Sequence, residues 1–583
     1  MSRFPFLLLL ASVLVLSSFA SASDTDECPR PEVGTRILEP PDLFSHNGVL
    51  EITLTAHRSR TAPGSYRYCF IDEHGNESPT LRVNPGDLVT IHLKNGMTGT
   101  PAADSPHMAH GKMNGPSAPC SGGAMTELTT NLHFHGLTIP PTCHADEVLK
   151  TLIQPGDPTF DYSFRIPDDE PPGLYWYHPH VHGYGRVELL GGASGALVVE
   201  GTERADRAVA GLPERIFIIR DQDLLHPDAP PAKSEPVIPK FLIDNDGDAV
   251  NTGTGFGKPA KDLSINFVPV PYPNYEPATL VMKPGERQLW RVLNASAITY
   301  LNLSVLRNRI AQPLGLVSID GVPLNYSGGP ADFTDPQTHL ALPPGSRVEF
   351  VIDAPEAGTT EAFVTHTVDT GPGGENDPNR PLALIRSSTD APESSVKLDA
   401  SPEPLPRPHQ PWLGSVAPVR VRKFYFSEKL DDPNNPASAS EFYITEEGQT
   451  PRAFDPNAAQ PNVVVTQGTV EDWIIENRTA ELHAFHIHQL HFDLLEYDGK
   501  LVNEPFLRDT VNVPYYNGHT LSYPSIRIRM DFRDPRIIGT FVFHCHLLEH
   551  EDRGMMATIE VVPPDSNSTV NKESASQFVD GKR

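Results

Sequence analysis

Cysteine is scarce, five in 583 residues, which leaves room for two disulfides and one thiol over. Basic charge is short as well: 46 Lys and Arg face 74 Asp and Glu, for a net charge of -28. That balance argues against nucleic acid or an anionic membrane as partner and is compatible with attraction of cationic substrates. Past the N-terminus no stretch reaches about eighteen consecutive apolar residues, so no transmembrane anchor is expected. What the chain has in abundance is turn formers, 60 Pro and 43 Gly against 38% hydrophobic residues. This composition suits short strands joined by many turns and predicts a mostly β protein. Its length is too great for one core and implies three or four domains.

The first residues, Met1 to Ala22, carry Arg3, the apolar run Phe4 to Leu16 and Ala20-Ser21-Ala22, the three parts of a secretory signal peptide. A secreted, extracellular protein starting near Ser23 is expected. With one thiol set aside, Cys28, Cys69, Cys120 and Cys143 can form two disulfides in any of three connectivities. N-x-S/T sequons begin at Asn76, Asn294, Asn302, Asn325, Asn477 and Asn567, which makes a glycoprotein possible, with some sites too buried to be modified.

A repeat runs through the chain. Gly86 to Asn95, Gly285 to Asn294 and Gly468 to Asn477 each place a turn Gly nine residues before a turn-favouring Asn, with an alternating strand between, as in Val89, Ile91 and Leu93. Three copies predict three similar β sandwiches. The resulting partition is a signal segment over 1–22, domains over 23–205, 206–390 and 421–563, a Pro-rich linker over 391–420 and a polar tail over 564–583.

Histidine is concentrated in four motifs. Phe541 to Met556 reads FVFHCHLLEHEDRGMM, setting Cys545 between His544 and His546, with His550 and Met555 following at intervals of five. Two His, one Cys and a long axial Met make a blue copper site, so Cys545, His550 and Met555 read as three of its ligands. Side chains alternate along a strand, so His544 and His546 face away from Cys545 and serve another centre. The other motifs are His133-Phe134-His135-Gly136, His178-Pro179-His180 and His483-Ala-Phe-His486-Ile-His488. Gly173 stands five residues before His178, as Gly539 does before His544. Around Ile298 to Val305 of the second domain, where the repeat spacing would put an H-x-H, there is none. The first and third domains are therefore expected to face each other across a multinuclear site, with the second as spacer.

In this order, HFHG, HPH, HAFHIH and HCHLLEHEDRGMM resemble the signature of the multicopper oxidases, over residues 45 to 563. The HCHLLEHED form with Met at the axial place is more similar to the bacterial-type laccase and bilirubin oxidase branch than to fungal and plant laccases. The resemblance implies three cupredoxin-like Greek-key sandwiches and four copper ions. His483, Cys545, His550 and Met555 would hold type 1 copper. His133 and His486 would hold type 2. His135, His178 and His546 would hold one type 3 ion, and His180, His488 and His544 the other. It also implies that four one-electron oxidations of a reducing substrate are coupled to reduction of dioxygen to two waters. Asp146 and Glu551 match the family's proton-relaying acids, with Glu147 competing for the first place. His182, His491 and Met556 fit no ligand position.

The substrate is left open. A laccase-like phenol oxidase would seat an aromatic donor beside a type 1 histidine, against the loop Lys429 to Pro461. A metallo-oxidase acting on Cu(I) or Fe(II) is the alternative, on the strength of Met97, Met108, Met113 and Met125 with His107 and His110 between Gly96 and Met125. A non-enzymatic copper-binding cupredoxin array is the third reading. A monomer is expected.

Overall fold

Each copy of the repeat folds the same way, for a reason visible at both of its ends. Gly86, Gly285 and Gly468 have φ of 88°, 63° and 90°, a region open to glycine at little cost. At the far end the amide of Asn95 donates to the carbonyls of Leu128 and Ile153 at 2.7 and 2.8 Å. Asn294 does so to Thr299 and Leu342, both at 3.0 Å, and Asn477 to Glu481 and Val513 at 2.8 and 3.2 Å. The Asn is thus a clamp between its strand and two following segments. Its amide is consumed in the core at Asn294 and Asn477, both 0% exposed, which removes these two sequons from the glycosylation expectation.

The computed structural model describes residues 26–62, 65–99, 120–230, 258–324, 326, 328, 337–392, 396–404 and 411–564. The signal segment, positions 100–119 of the Met/His loop, Asn325, Asn567 and the tail beyond 564 lie outside the described residues.

The architecture is three cupredoxin-like β sandwiches, built from six sheets among the described residues. In each, the repeat strand has one parallel and one antiparallel neighbour. Leu88–Asn95 lies between Val49–Ala62 and Phe160–Arg165. Arg287–Asn294 lies between Glu214–Gln222 and Arg347–Asp353, and Thr469–Asn477 between Arg420–Leu430 and Ser525–Phe532. The second sheet of the first domain ends in the order Gly195–Val199, Gly173–His178, His133–His135. Its counterpart in the third domain runs Val463–Thr466, Met556–Val562, Gly539–Cys545, His483–Ile487, Thr510–Val513.

Val89, Ile91 and Leu93 are fully buried and their neighbours are not, the expected half-buried alternation. Past its exposed first residue, the strand Arg287–Asn294 is buried on both faces, because the middle sandwich is flanked by protein on either side. Arg291 within it is neutralised by Glu214 and Glu349, and Glu349 also accepts from the Leu174 amide at 2.7 Å across the domain boundary. A buried cation of this kind persists only when paired and hydrogen-bonded. The core of the third domain continues into Leu174 and Trp176 of the first and Ala297 and Ile298 of the second. The Pro-rich segment is not simply extended: Lys397 bridges to Pro213, and Leu398 packs with Val209 and Leu289. Cysteines pair as Cys28–Cys69 and Cys120–Cys143. No helix among the described residues is long and apolar enough to cross a membrane.

Candidate metal centre

Strand register brings the motifs together in two steps. Within the first domain His133 is the cross-strand partner of His178, and within the third His486 is the partner of His544. The two pairs of strands then meet face to face: the rings of His133 and His488 stack at 3.7 Å and those of His135 and His486 at 3.8 Å. Eight imidazoles from two domains form overlapping groups, His133 with His135 and His486, His135 with His178 and His546, and His180 with His488 and His544. These are the histidines expected from the motifs, in the groups expected for the two type 3 places, and His133 and His486 share the remaining group.

The rear nitrogen of most rings is satisfied. Nδ1 of His178 donates to the Pro179 carbonyl at 2.9 Å, that of His544 to the Cys545 carbonyl at 3.0 Å and that of His486 to the Asp509 carbonyl at 2.9 Å. Such bonds fix the tautomer and leave the opposite nitrogen as a lone-pair donor. Those opposite atoms, Nε2 of His133, His178 and His486 and Nδ1 of His135, are buried without a hydrogen-bond partner, while Nε2 of His544 lies 3.4 Å from that of His180 and 3.3 Å from that of His488. Burial first, and then neighbouring imidazoles, hold His135, His178, His180, His486, His488 and His546 well below the ordinary histidine range. Neutral rings with lone pairs converging in a dry site are matched by a cation, and the donor set fits copper.

A second group lies inside the core of the third domain. Cys545 Sγ is 3.5 Å from Nδ1 of His483 and 3.8 Å from Nδ1 of His550, and the two nitrogens are 3.1 Å apart. Nε2 of His483 is bonded to the Thr479 hydroxyl at 2.9 Å, and burial pushes this histidine down to about 3. Burial pushes the Cys545 thiol up, so the thiolate that binds metal forms here only with a cation to match it. Met555 is buried in the same core as Cys545, and its carbonyl accepts from the Cys545 amide at 3.1 Å. Met556 belongs instead to an apolar group with Val148 and Val542. His182 packs edge-on against Phe454.

Both acids reach the cluster. Asp146 Oδ2 is 2.9 Å from Nδ1 of His133, and its other oxygen accepts from the Phe134 amide at 2.9 Å. The Gln489 amide, from the third domain, also donates to it. Glu147 turns away and caps Leu149 and Lys150. Glu551, on the helix Leu548–Asp552, places Oε2 3.1 Å from Nδ1 of His544 and Oε1 3.7 Å from Nε2 of His180. Burial, with Asp552 second, holds its carboxyl well above the usual range.

The middle domain is more than a spacer, which corrects the expectation drawn from its missing histidines. A Cβ on Gly345 would stand 2.9 Å from His546 Cδ2 and 3.1 Å from His135 Cε1, so this turn closes the cluster at contact distance. Asp509, of the third domain, is 3.1 Å from Nε2 of His135 through Oδ1, and it is held by Arg347 of the middle domain. His491, expected to be structural, bonds the Asp320 carbonyl at 3.0 Å. Sequence reasoning missed Gly345, Arg347 and Asp509, since none belongs to a metal motif.

Outside the Cys545 group, a cavity of about 80 Å³ is lined by His550, Phe442, Tyr300, Glu375, Glu481 and Glu549. The Phe442 ring stacks on His550 at 4.0 Å, and Glu481 Oε1 is 3.4 Å from Nε2 of His550. Phe442, with Pro436 and Ala437 at the same cavity, comes from the loop expected to form a substrate pocket.

Models of the multicopper oxidase family match residues 124–204 and 431–565, the two regions that carry the histidine motifs. The multicopper oxidase mco of Staphylococcus aureus is 24% identical over 531 residues, 90% of this chain and 91% of that one. The McoA multicopper oxidase of Aquifex aeolicus, as its 2F4 variant, superposes with a TM-score of 0.61 at 18% identity over 91% of this chain and 99% of that one. A Campylobacter jejuni multicopper oxidase described as a metallo-oxidase gives 0.58 at 22% identity, covering 92% and 96%.

Proposed function

Since this chain belongs to the multicopper oxidase family, we propose that it is a secreted copper enzyme that passes electrons from a small reducing substrate to dioxygen, with a laccase-like preference for phenolic donors. The observation that carries this is the convergence of eight buried imidazoles from two domains beside a separate His-Cys-His group. On this reading His483, Cys545, His550 and Met555 hold one copper, and His133, His135, His178, His180, His486, His488, His544 and His546 hold three. Copper bound there supplies one-electron acceptance from the donor and four-electron reduction of dioxygen to water. The chain's own residues do the rest. Hydrogen bonds behind His133, His135, His178, His486 and His544 aim their lone pairs inward, the packed core keeps bulk water from the Cys545 sulfur, and the carboxyls of Asp146 and Glu551 stand beside cluster histidines, where they can relay protons. Two disulfides support an oxidising compartment. Loss of any one cluster histidine would have favoured a mere copper-carrying array, and the complete set supports catalysis.

A second reading is carried by the cavity at His550. Three carboxyl side chains, Glu375, Glu481 and Glu549, line it against one cation, Arg553, which pairs with Glu549 at 2.8 Å; the excess of acids favours a cationic donor such as Fe(II) or Cu(I). One preparation, loaded with copper and assayed for oxygen consumption with phenols, bilirubin, Fe(II) and Cu(I), tests both. No oxygen consumption with any donor overturns the enzyme reading. Under the cationic reading Glu375→Gln with Glu549→Gln raises KM for Fe(II) and leaves that for phenols; equal changes would dismiss it.

A further inference from the structure

The middle domain supplies no imidazole, yet one of its side chains joins all three domains directly behind a cluster histidine. Arg347, 0% exposed, donates through Nη1 and Nη2 to Oδ1 and Oδ2 of Asp509 at 2.8 and 2.7 Å. This is the two-point fork that arginine makes and lysine does not. Its remaining donors are spent on backbone: Nε on the Leu174 carbonyl of the first domain at 3.1 Å, and Nη2 also on the Asp320 carbonyl at 2.9 Å. Asp320 in turn accepts from the backbone amides of Arg347 at 2.9 Å and of Asp509 at 3.3 Å. Nothing in this arrangement is free to turn.

The clamp residue of the second repeat sets the turn that carries Arg347. Asn294 bonds the Leu342 carbonyl with its amide and receives the Gly345 amide on its own carbonyl at 2.9 Å. Two residues further on the chain enters the strand Arg347–Asp353. The domain without ligands has kept the clamp and uses it to seat Gly345 and Arg347 against the cluster.

Asp509 meets His135 at the nitrogen that has protein partners. Nε2 of His135 lies 3.1 Å from Asp509 Oδ1, and its Nδ1 is buried and unpartnered. We propose that Arg347 is a positioning residue for the metal centre: its fork fixes the Asp509 carboxylate as acceptor for Nε2–H of His135, which leaves Nδ1 as the metal-facing atom. This rests on the reading of the eight histidines as copper ligands. A metal-ligating histidine whose outer partner is lost binds its metal about 10–100-fold more weakly, so copper affinity is tied to the docking of a domain that holds no copper.

The experiment uses full-length, copper-loaded protein. Copper per chain and the electron paramagnetic resonance and visible spectra are measured for wild type, Arg347→Lys, Asp509→Asn and the double variant. Expected is a fall of about 10–100-fold in cluster copper affinity in each single variant, with the blue colour of the Cys545 site kept, and a double variant no worse than the weaker single one, since both changes break one hydrogen-bonded unit. Asp509→Asn keeps the shape of the side chain and decides the matter should Arg347→Lys not fold. Cluster copper retained with wild-type affinity and spectrum in Asp509→Asn, or additive losses in the double variant, overturns the proposal. A wild type that takes up no copper at all overturns the underlying functional reading instead.

Discussion

Glu551 Oε2 lies 3.1 Å from Nδ1 of His544, a nitrogen already committed to the Cys545 carbonyl. The carboxyl therefore shares this nitrogen with a backbone carbonyl, and burial, with Asp552 second, raises its affinity for a proton, so that it can act as a proton donor beside the ring. Glu551→Gln keeps the shape and removes that function. Bleaching of the blue colour by substrate without air should stay near the wild-type rate, while turnover under air falls by about 10² or more. Stopped-flow and oxygen-electrode measurements check the two halves; normal turnover would make Glu551 a bystander and leave Asp146 as the acid that matters.

Cys545→Ser tests the smaller group. Cys545 is buried and in no disulfide, so its loss breaks no cross-link. The blue absorption and the oxidase activity should vanish, with a folded chain by circular dichroism and a stability loss of about 1–3 kcal/mol for the hydroxyl in an apolar core. A surviving thiolate-to-copper band would refute the assignment.

Glu170 gives a pH dependence remote from the metal ligands. It is buried, its oxygens accept only the Thr138 amide at 3.3 Å, and burial pushes its carboxyl from 4.5 up to about 8. A raised folded value means the stability it contributes is full below about 4.5 and drains as pH rises through about 8. By pH 7 the drain is about 3 kcal/mol. Glu170→Gln lacks it, so melting curves of variant and wild type should diverge in the variant's favour between pH 5 and 8 (roughly the window those values span); parallel curves would count against a buried neutral carboxyl.

Asn477→Ala removes one clamp. Two buried carbonyls, of Glu481 and Val513, each lose a donor, with the Thr479 hydroxyl at 3.2 Å still left to Glu481, at a cost of about 1–3 kcal/mol read from the denaturant midpoint. Asn477 also accepts from the Thr479 hydroxyl at 2.8 Å, and that hydroxyl bonds Nε2 of His483 at 2.9 Å. The blue band should shift as well as the midpoint, and an unchanged band would separate the clamp from the metal group.

The clustering of the histidines was legible because each motif states residue type and strand parity together: His133 and His135, or His544 and His546, share a face whatever the surrounding fold. The three sandwiches were legible through Gly86, Gly285 and Gly468. Arg347 and Asp509 were not, because a charged residue in an alternating strand reads as solvated until its partners from other domains are known. The pairing of Cys28 with Cys69 likewise depends on two segments meeting in space, and the buried fate of the Asn294 and Asn477 sequons depends on what their amides hold. That Asp146 and not Glu147 meets His133 needed the orientation of a loop, which two adjacent acids do not reveal.

The pairing of His133 with His178 and of His486 with His544 makes sheet register the ruler by which the centre is measured. A strand shifted by one residue presents its opposite face, so a single insertion between His483 and Ile487 or between Gly539 and Cys545 would swing imidazoles into the apolar core and Phe485 or Phe543 toward the metal. Loops between these strands are free to lengthen, whereas the strands themselves are fixed in count. Lineages of this protein should therefore vary by insertion only where the chain turns, so that the distance along the sequence from one histidine motif to the next is constrained through the strands it contains and not through its turns.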